Sequence, residues 1–124
     1  MNIIDTSLWI EFFAGVPLDD SIIDVIENCD ELYVPVICLY EVRKKFLNDN
    51  EAEKAFTAIE LMKNGIVIDL DSEIALLASD MSKKHKLPMA DSIIYATAVK
   101  FDAEIYTQDK HFESLDYVHY FAKP

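Results

Sequence analysis

Short apolar segments of strand length alternate with amphipathic helical segments along this chain of 124 residues. The helical segments repeat apolar side chains at intervals of three and four residues, as in Ile74, Leu77, Ala78 and Met81. Segments with strand character lie at residues 3–5, 32–36, 66–68, 104–107 and 117–121. Because strands that alternate with helices form helix-covered parallel sheets, the sequence predicts one α/β domain over residues 1–124, a sandwich with a mainly parallel sheet.

Acidic and hydroxyl residues predict where helices begin. Asp20 or Ser21 is placed to cap a helix that carries Ile22 and Ile26. Asp71 is placed to cap the helix that begins before Ile74.

The composition indicates an ordered globular protein without a membrane segment. Hydrophobic residues make up 52% of the chain, and there are only two glycines. No apolar run approaches the roughly 20 residues of a membrane span. Asp5 and Glu11 interrupt the apolar N-terminal stretch, which argues against a signal peptide. We therefore expect a cytoplasmic protein in which Cys29 and Cys38 remain reduced. The three histidines lack the close spacing of a zinc site.

The chain is strongly acidic, with 23 acidic against 11 basic residues and a net charge of −12. This charge argues against indiscriminate binding of nucleic acid, which requires a basic face. It remains compatible with a metal-dependent nuclease, because bound divalent cations add their own positive charge. Such an enzyme would still need local cations, and Arg43 and Lys110 are candidates for RNA contact. The alternative is that these side chains only neutralise the acidic surface around them.

Four acidic residues fall near the predicted carboxyl ends of strands: Asp5, Glu41, Asp91 and Asp109. Asp5 ends the first strand, and Asp109 follows the fourth strand. The carboxyl ends of parallel strands share one edge of a sheet, where ligands collect. Carboxylates gathered at that edge repel one another unless a cation neutralises them. The pattern therefore favours a site for a hard divalent cation such as Mg²⁺.

Each acid also has a purely structural explanation. Asp5 and Asp91 could serve the first turns of helices, where a negative charge is favourable. Glu41 could pair with Lys45 four residues later, and Asp109 could begin a turn. Asp91 points most clearly to a site, because its helix is apolar nearly all round and should be buried. Burying a carboxylate costs on the order of several kcal/mol of folding free energy unless it is paired or bound to metal.

Four short motifs in this order resemble those of the PIN-domain ribonucleases, and among them the VapC-like toxins of toxin–antitoxin pairs. The motifs are Ile3-Ile4-Asp5-Thr6-Ser7, Tyr40-Glu41-Val42, residues 90–98 (ADSIIYATA) and residues 107–112 (TQDKHF). The resemblance covers essentially the whole chain.

The resemblance implies a sheet of strand order 3-2-1-4-5 flanked by helices, with the four acids around Mg²⁺ or Mn²⁺. It implies an endoribonuclease that cleaves RNA with a metal-activated water. It also implies a homodimer and a cognate antitoxin protein whose C-terminal segment covers the site. We expect Asp5 and Asp91 to bind metal directly. Glu41 and Asp109 would orient waters or a second ion, and the hydroxyl of Thr107 would support these ligands.

Two other functions remain open from the sequence. A receiver-like signalling module also gathers acids at a sheet edge, with Asp69 as phosphate acceptor and Thr107 as switch hydroxyl. That module needs an acidic pair after the first strand, whereas Thr6 and Ser7 follow Asp5. The other possibility is a partner-binding protein that keeps the fold without catalysis.

Overall fold

The computed structural model describes residues 1–123 and contains five strands and six α-helices in the predicted alternation. The strands are β1 (Asn2–Ile4), β2 (Leu32–Pro35), β3 (Ile66–Ile68), β4 (Glu104–Thr107) and β5 (Val118–Tyr120). The helices are α1 (Thr6–Phe13), α2 (Asp20–Glu27), α3 (Val36–Asn48), α4 (Ala52–Met62), α5 (Ser72–His85) and α6 (Met89–Phe101). Short 3-10 helices lie at Cys29–Glu31 and Lys110–Phe112. The assignment of residues 1–124 to one domain stays a prediction.

All five strands are parallel and follow the order β3-β2-β1-β4-β5. This confirms the order 3-2-1-4-5, in a sheet that is wholly rather than mainly parallel. Ile3 at the centre pairs with Tyr33 of β2 and Ile105 of β4. A receiver-like fold has the order 2-1-3-4-5. The receiver alternative is therefore wrong, and Asp69 lies exposed after the edge strand β3.

The helices cover the sheet in packed pairs, α3 with α4 and α5 with α6. The central strand is fully enclosed, since Ile3 and Ile4 have no exposed surface. In α6, every residue from Ser92 to Ala98 is buried, as its apolar sequence predicts. Such a helix fixes the position of any polar side chain in its first turn. None of the helices within residues 1–123 has the length and apolarity needed to cross a membrane.

Several element ends differ from the sequence predictions by one residue. Strand β1 ends at Ile4, so Asp5 follows the strand instead of ending it. Asp19, rather than Asp20 or Ser21, caps α2, because its Oδ1 accepts hydrogen bonds from both the amide and the hydroxyl of Ser21. Strand β2 ends at Pro35, and the next residue already begins α3. Strand β5 begins after Tyr117, whose φ of 70° is incompatible with an extended strand.

The chain order of the sheet reverses between β1 and β4. The chain passes from β1 to β2 and β3 on one side and then returns to place β4 and β5 on the other side. In open parallel sheets, ligands bind in the crevice at the carboxyl ends of the strands where the order reverses. Asp5 follows β1 and Thr107 ends β4, so both lie at this crevice.

The Asp71→Ala substitution should lower the free energy of unfolding by about 1 kcal/mol, because it removes a helix cap. Asp71 Oδ1 accepts a hydrogen bond from the amide of Ile74 at 2.9 Å, as predicted, and its Oδ2 pairs with the half-buried Lys100. Urea unfolding measures the change. Asp69→Ala is the control, since this exposed acid precedes the helix without capping it. An equal loss in both variants would contradict the capping role.

Candidate metal centre at the carboxyl edge of the sheet

Asp5 is held at the crevice by two hydroxyl groups. It occupies the residue before α1, but its side chain makes no capping hydrogen bond. Instead, its Oδ2 accepts hydrogen bonds from Ser7 Oγ at 2.8 Å and Thr107 Oγ1 at 2.9 Å. The residue is only 2% exposed. The structural explanation of Asp5 as a helix cap therefore fails, and the hydroxyls fix the orientation of a buried carboxyl group.

Burial raises the pKa of Asp5 from its ordinary value of 3.8 to about 6. The hydrogen bonds from Ser7 and Thr107 lower the pKa, and the charge of Asp109 raises it. The desolvation effect exceeds the stabilisation that the hydroxyls give to the charged form. Near neutral pH, Asp5 is thus a carboxylate that the folded protein holds at a free-energy cost.

Asp91 lies in the first turn of α6, with its side chain 15% exposed. Burial, together with the charges of Asp109 and Asp5, raises the pKa of Asp91 to about 7, against the lowering effect of His111. The helix N-terminus alone therefore does not offset the cost of this charge. The pKa shift also shows that three carboxyl groups, from β1, α6 and the segment after β4, act on one another.

Asp109 and His111 complete this group of side chains. The hydroxyl of Thr107 accepts a hydrogen bond from the amide of Asp109 at 2.9 Å, so Thr107 joins Asp109 to Asp5. Asp109 Oδ1 accepts a hydrogen bond from the amide of His111 and caps the short 3-10 helix. The ring of His111 places its Nδ1 3.1 Å from both Asp91 Oδ2 and Asp109 Oδ1. Asp109 thus begins a turn and also faces the other acids.

Glu41 joins the site through Thr6. Thr6 Oγ1 donates a hydrogen bond to Glu41 Oε1 at 2.7 Å, which links α3 to the residue next to Asp5. Lys45 pairs with Asp49 at 2.9 Å, so the pairing of Glu41 with Lys45 that the sequence allowed is not formed. Glu41 lines a cavity of about 270 Å³ together with Thr6 and Lys44. Its carboxylate is therefore linked to Asp5 through the neighbouring residue Thr6.

The two basic candidates for RNA contact lie in different places. Lys110 lines a cavity of about 590 Å³ with Ser7, Asp109 and Lys123, directly beside the acidic group. Arg43 lines a separate groove of about 400 Å³ between α3 and α4, with Phe56 opposite it. The structure thus brings Lys110, but not Arg43, next to the acids.

Sequence reasoning assigned no role to three side chains that touch the site: Thr6, Ser7 and His111. Thr6 and Ser7 directly follow Asp5. Because a buried carboxylate needs hydrogen-bond donors, hydroxyl residues next to it in the sequence could have indicated this role. His111 was considered only for zinc spacing along the chain. Its partner Asp91 is 20 residues away, a distance that local spacing does not reveal.

The donor set suits a hard or borderline divalent cation. Among residues 1–123, Asp91, Asp109 and His111 each offer a ligand atom, and these atoms lie within 4.8 Å of one another. Asp5 lies outside that group, yet its charge raises the pKa of Asp91. Carboxylate oxygens are the ligands that Mg²⁺ and Mn²⁺ prefer. A cation at these atoms would offset the desolvation that raises both pKa values and the repulsion that adds to it.

The fold matches solved structures over nearly its full length. A toxin–antitoxin complex from Klebsiella pneumoniae contains a chain of TM-score 0.80 and 19% identity, with 99% of this chain and 100% of that chain covered. VapBC2 from Rickettsia felis, bound to a DNA fragment from its promoter, matches with a TM-score of 0.77 and 12% identity, and the match covers 98% of this chain and 97% of that chain. DNA-bound VapBC from Salmonella typhimurium gives 0.76 at 17% identity, with 98% of each chain covered. At these identities, the likeness establishes the fold alone.

The sequence gives the family more directly. No curated protein matches this chain. The family model of the PIN domain, however, matches residues 3–117, from β1 to the residue before β5. The match includes all four acids and Thr107. Because it spans most of the chain, the chain belongs to the PIN domain family.

Proposed function

We propose that this protein is a metal-dependent endoribonuclease and acts as the toxin of a toxin–antitoxin pair. The observation that carries the proposal is the pair Asp5 and Asp91, whose pKa values rise to about 6 and 7 at the crevice between β1 and β4. When carboxyl groups have pKa values near neutral and repel each other in the metal-free protein, a bound cation stabilises their charged forms. Membership in the PIN domain family supports nuclease activity.

The division of roles among the acids follows from their surroundings. Asp5 and Asp91 would hold Mg²⁺ or Mn²⁺ directly, because they bear the strongest desolvation. Glu41 and Asp109 would orient waters or a second ion. When bound, the metal lowers the pKa of a coordinated water and stabilises charge on the attacked phosphate.

The hydroxyl groups prepare this site before any ligand arrives. Thr107 and Ser7 hold the Asp5 carboxylate in one orientation, and Thr6 does the same for Glu41. Side chains that fix the orientation of metal ligands in this way commonly affect metal affinity as much as 10- to 100-fold, on the order of 1 to 3 kcal/mol. Thr107 is therefore a positioning residue.

The RNA backbone needs a cation on this acidic surface, and Lys110 is the best placed of the two candidates. It lies in the cavity beside Asp109, where its ammonium group can meet a phosphate as a point charge. Lys44 flanks Glu41 on the other side of the site. We propose that Arg43, in the groove between α3 and α4, does not contact RNA at the cleavage site.

The toxin role is inferred from the complexes in which structurally similar chains are found. The matched structure from Klebsiella pneumoniae is a toxin–antitoxin complex, and those from Rickettsia felis and Salmonella typhimurium contain VapBC, the family of toxin–antitoxin systems to which a further matched structure, from Mycobacterium tuberculosis, belongs. A net charge of −12 favours a basic partner segment, which suits inhibition by an antitoxin. The homodimer and the cytoplasmic location stay predictions. A partner-binding protein without catalysis remains the competing function, and loss or retention of RNA cleavage separates the two.

The Asp5→Asn and Asp91→Asn substitutions should each reduce metal-dependent RNA cleavage by about 100-fold or more, because each removes a charged metal ligand. Cleavage of a labelled RNA with Mg²⁺ or Mn²⁺ measures the rate, and circular dichroism checks the fold. Asp80→Asn is the matched control, since Asp80 is an exposed acid on α5. Wild-type cleavage by either site variant would refute the assignment. Absence of cleavage by the wild type would favour the partner-binding function.

Without metal, Asp91→Asn should become more stable relative to the wild type as the pH rises from about 4 to 7. The pKa of Asp91 is raised in the folded state, so the folded protein retains the proton that the unfolded chain releases near pH 4. That contribution is complete below pH 4 and is lost as the pH rises through about 7. Allowing for solvent screening, the difference in unfolding free energy should change by about 1 to 2 kcal/mol.

Urea unfolding in a chelator, at a series of pH values, measures this difference. Asp19→Asn is the control, because hydrogen bonds from Ser21 lower the pKa of Asp19. Its contribution is present above pH 4 and is lost only below that value. If both variants show the same pH dependence of stability relative to the wild type, the pKa of Asp91 is not raised in the folded protein.

The Lys110→Ala substitution should weaken RNA binding and flatten its salt dependence. Loss of one phosphate contact should reduce the slope of log K against log salt by about 0.7 for a single strand. Binding is measured in the Asp5→Asn background, which prevents cleavage, between about 50 and 200 mM salt. Arg43→Ala is the comparison, and we expect it to keep the parent slope. A slope unchanged by Lys110→Ala would exclude this contact.

A further inference from the structure

His111 contacts two of the four acids, although the proposed function assigns it no role. The short 3-10 helix turns the chain back after Asp109, and the amide of His111 donates to Asp109 Oδ1. This turn directs the imidazole towards α6, where Nδ1 lies 3.1 Å from Asp91 Oδ2. The same nitrogen lies 3.1 Å from Asp109 Oδ1. One ring nitrogen therefore faces two carboxylates from two different elements.

These distances match those between ligands of one metal ion. Metal–ligand bonds of about 2.0 to 2.2 Å put neighbouring ligands of an octahedral ion about 2.8 to 3.1 Å apart. Nδ1 lies at that distance from both carboxylate oxygens. The ligand atoms of Asp91, Asp109 and His111 all lie within 4.8 Å of one another, so one ion can reach all three.

We propose that His111 is a protein ligand, through Nδ1, of the second ion of the proposed site, which Asp109 shares with Asp91, and that it biases this ion towards Mn²⁺ over Mg²⁺. The proposal rests on the metal site of the proposed function and names its selectivity. Mg²⁺ is hard and prefers oxygen ligands and retained waters, whereas imidazole suits transition metals. Replacing one oxygen ligand by an imidazole nitrogen therefore favours the transition metal.

A different role for the same contact leads to the opposite result. His111 could act as a cationic bridge that pairs with Asp91 and Asp109 and competes with a metal for their oxygens. Removing a competing cation raises metal affinity, while removing a ligand lowers it. The effect of His111 on metal affinity therefore separates the two roles.

Isothermal titration of the metal-free full-length chain with Mn²⁺ and with Mg²⁺ tests the proposal. His111→Ala should weaken Mn²⁺ binding by about 10-fold or more and Mg²⁺ binding by less, which lowers the preference for Mn²⁺. His111→Gln keeps a polar side chain without the imidazole and should also lose the preference. His119→Ala is the matched control, because His119 is an exposed histidine on β5 that pairs with Glu104.

Pulsed electron paramagnetic resonance of bound Mn²⁺ gives a second, direct measurement. The wild type and His119→Ala should show coupling to a ligand nitrogen, and both His111 variants should lack it. Unchanged or tighter Mn²⁺ binding in the His111 variants would overturn the proposal, as would an equal loss for both metals. In that case, cleavage that still depends on Asp5 and Asp91 would leave the proposed function intact. Cleavage independent of those acids would defeat the proposed function itself.

Discussion

The repulsion among carboxylates at the crevice between β1 and β4 is the constraint on which this site depends. Asp5 is buried and Asp91 is partly buried at this crevice, and desolvation raises the pKa of both, with the charge of Asp109 acting on each and that of Asp5 acting on Asp91. In a metal-free protein this arrangement opposes folding, because desolvated charges of one sign are brought together. The core must supply the stability that the site removes. A cation reverses the sign of that contribution.

A set of hydroxyl groups makes the arrangement possible. Ser7 and Thr107 donate to one oxygen of Asp5, while Thr107 also accepts from the amide of Asp109. Thr6 donates to Glu41 in the same manner. Neutral donors orient a carboxylate without adding a fixed positive charge that would compete with a metal ion. A lysine or arginine in these positions would instead neutralise the acids and close the site to cations.

The chain has a net charge of −12, so it should repel the RNA that we propose as its substrate. The positions of the basic residues show where that repulsion is reduced. Lys110 and Lys123 lie together in the cavity beside the acids, whereas Lys45 and Lys54 are paired with neighbouring acids on their helices. A polyanion therefore meets positive charge directly beside the acids, at Lys110 and Lys123. A basic partner segment, in contrast, meets a favourable field over much of the surface.

The sequence by itself determined the alternation of elements and the buried character of α6, because both follow from local periodicity. It also predicted a site at the four acids from their positions near the carboxyl ends of strands. The strand order came from the family resemblance. Tertiary structure alone decided that Thr6 holds Glu41, that Arg43 faces a different groove and that His111 faces Asp91. Such contacts join residues far apart in sequence, and their partners depend on how helices pack, which local patterns do not specify.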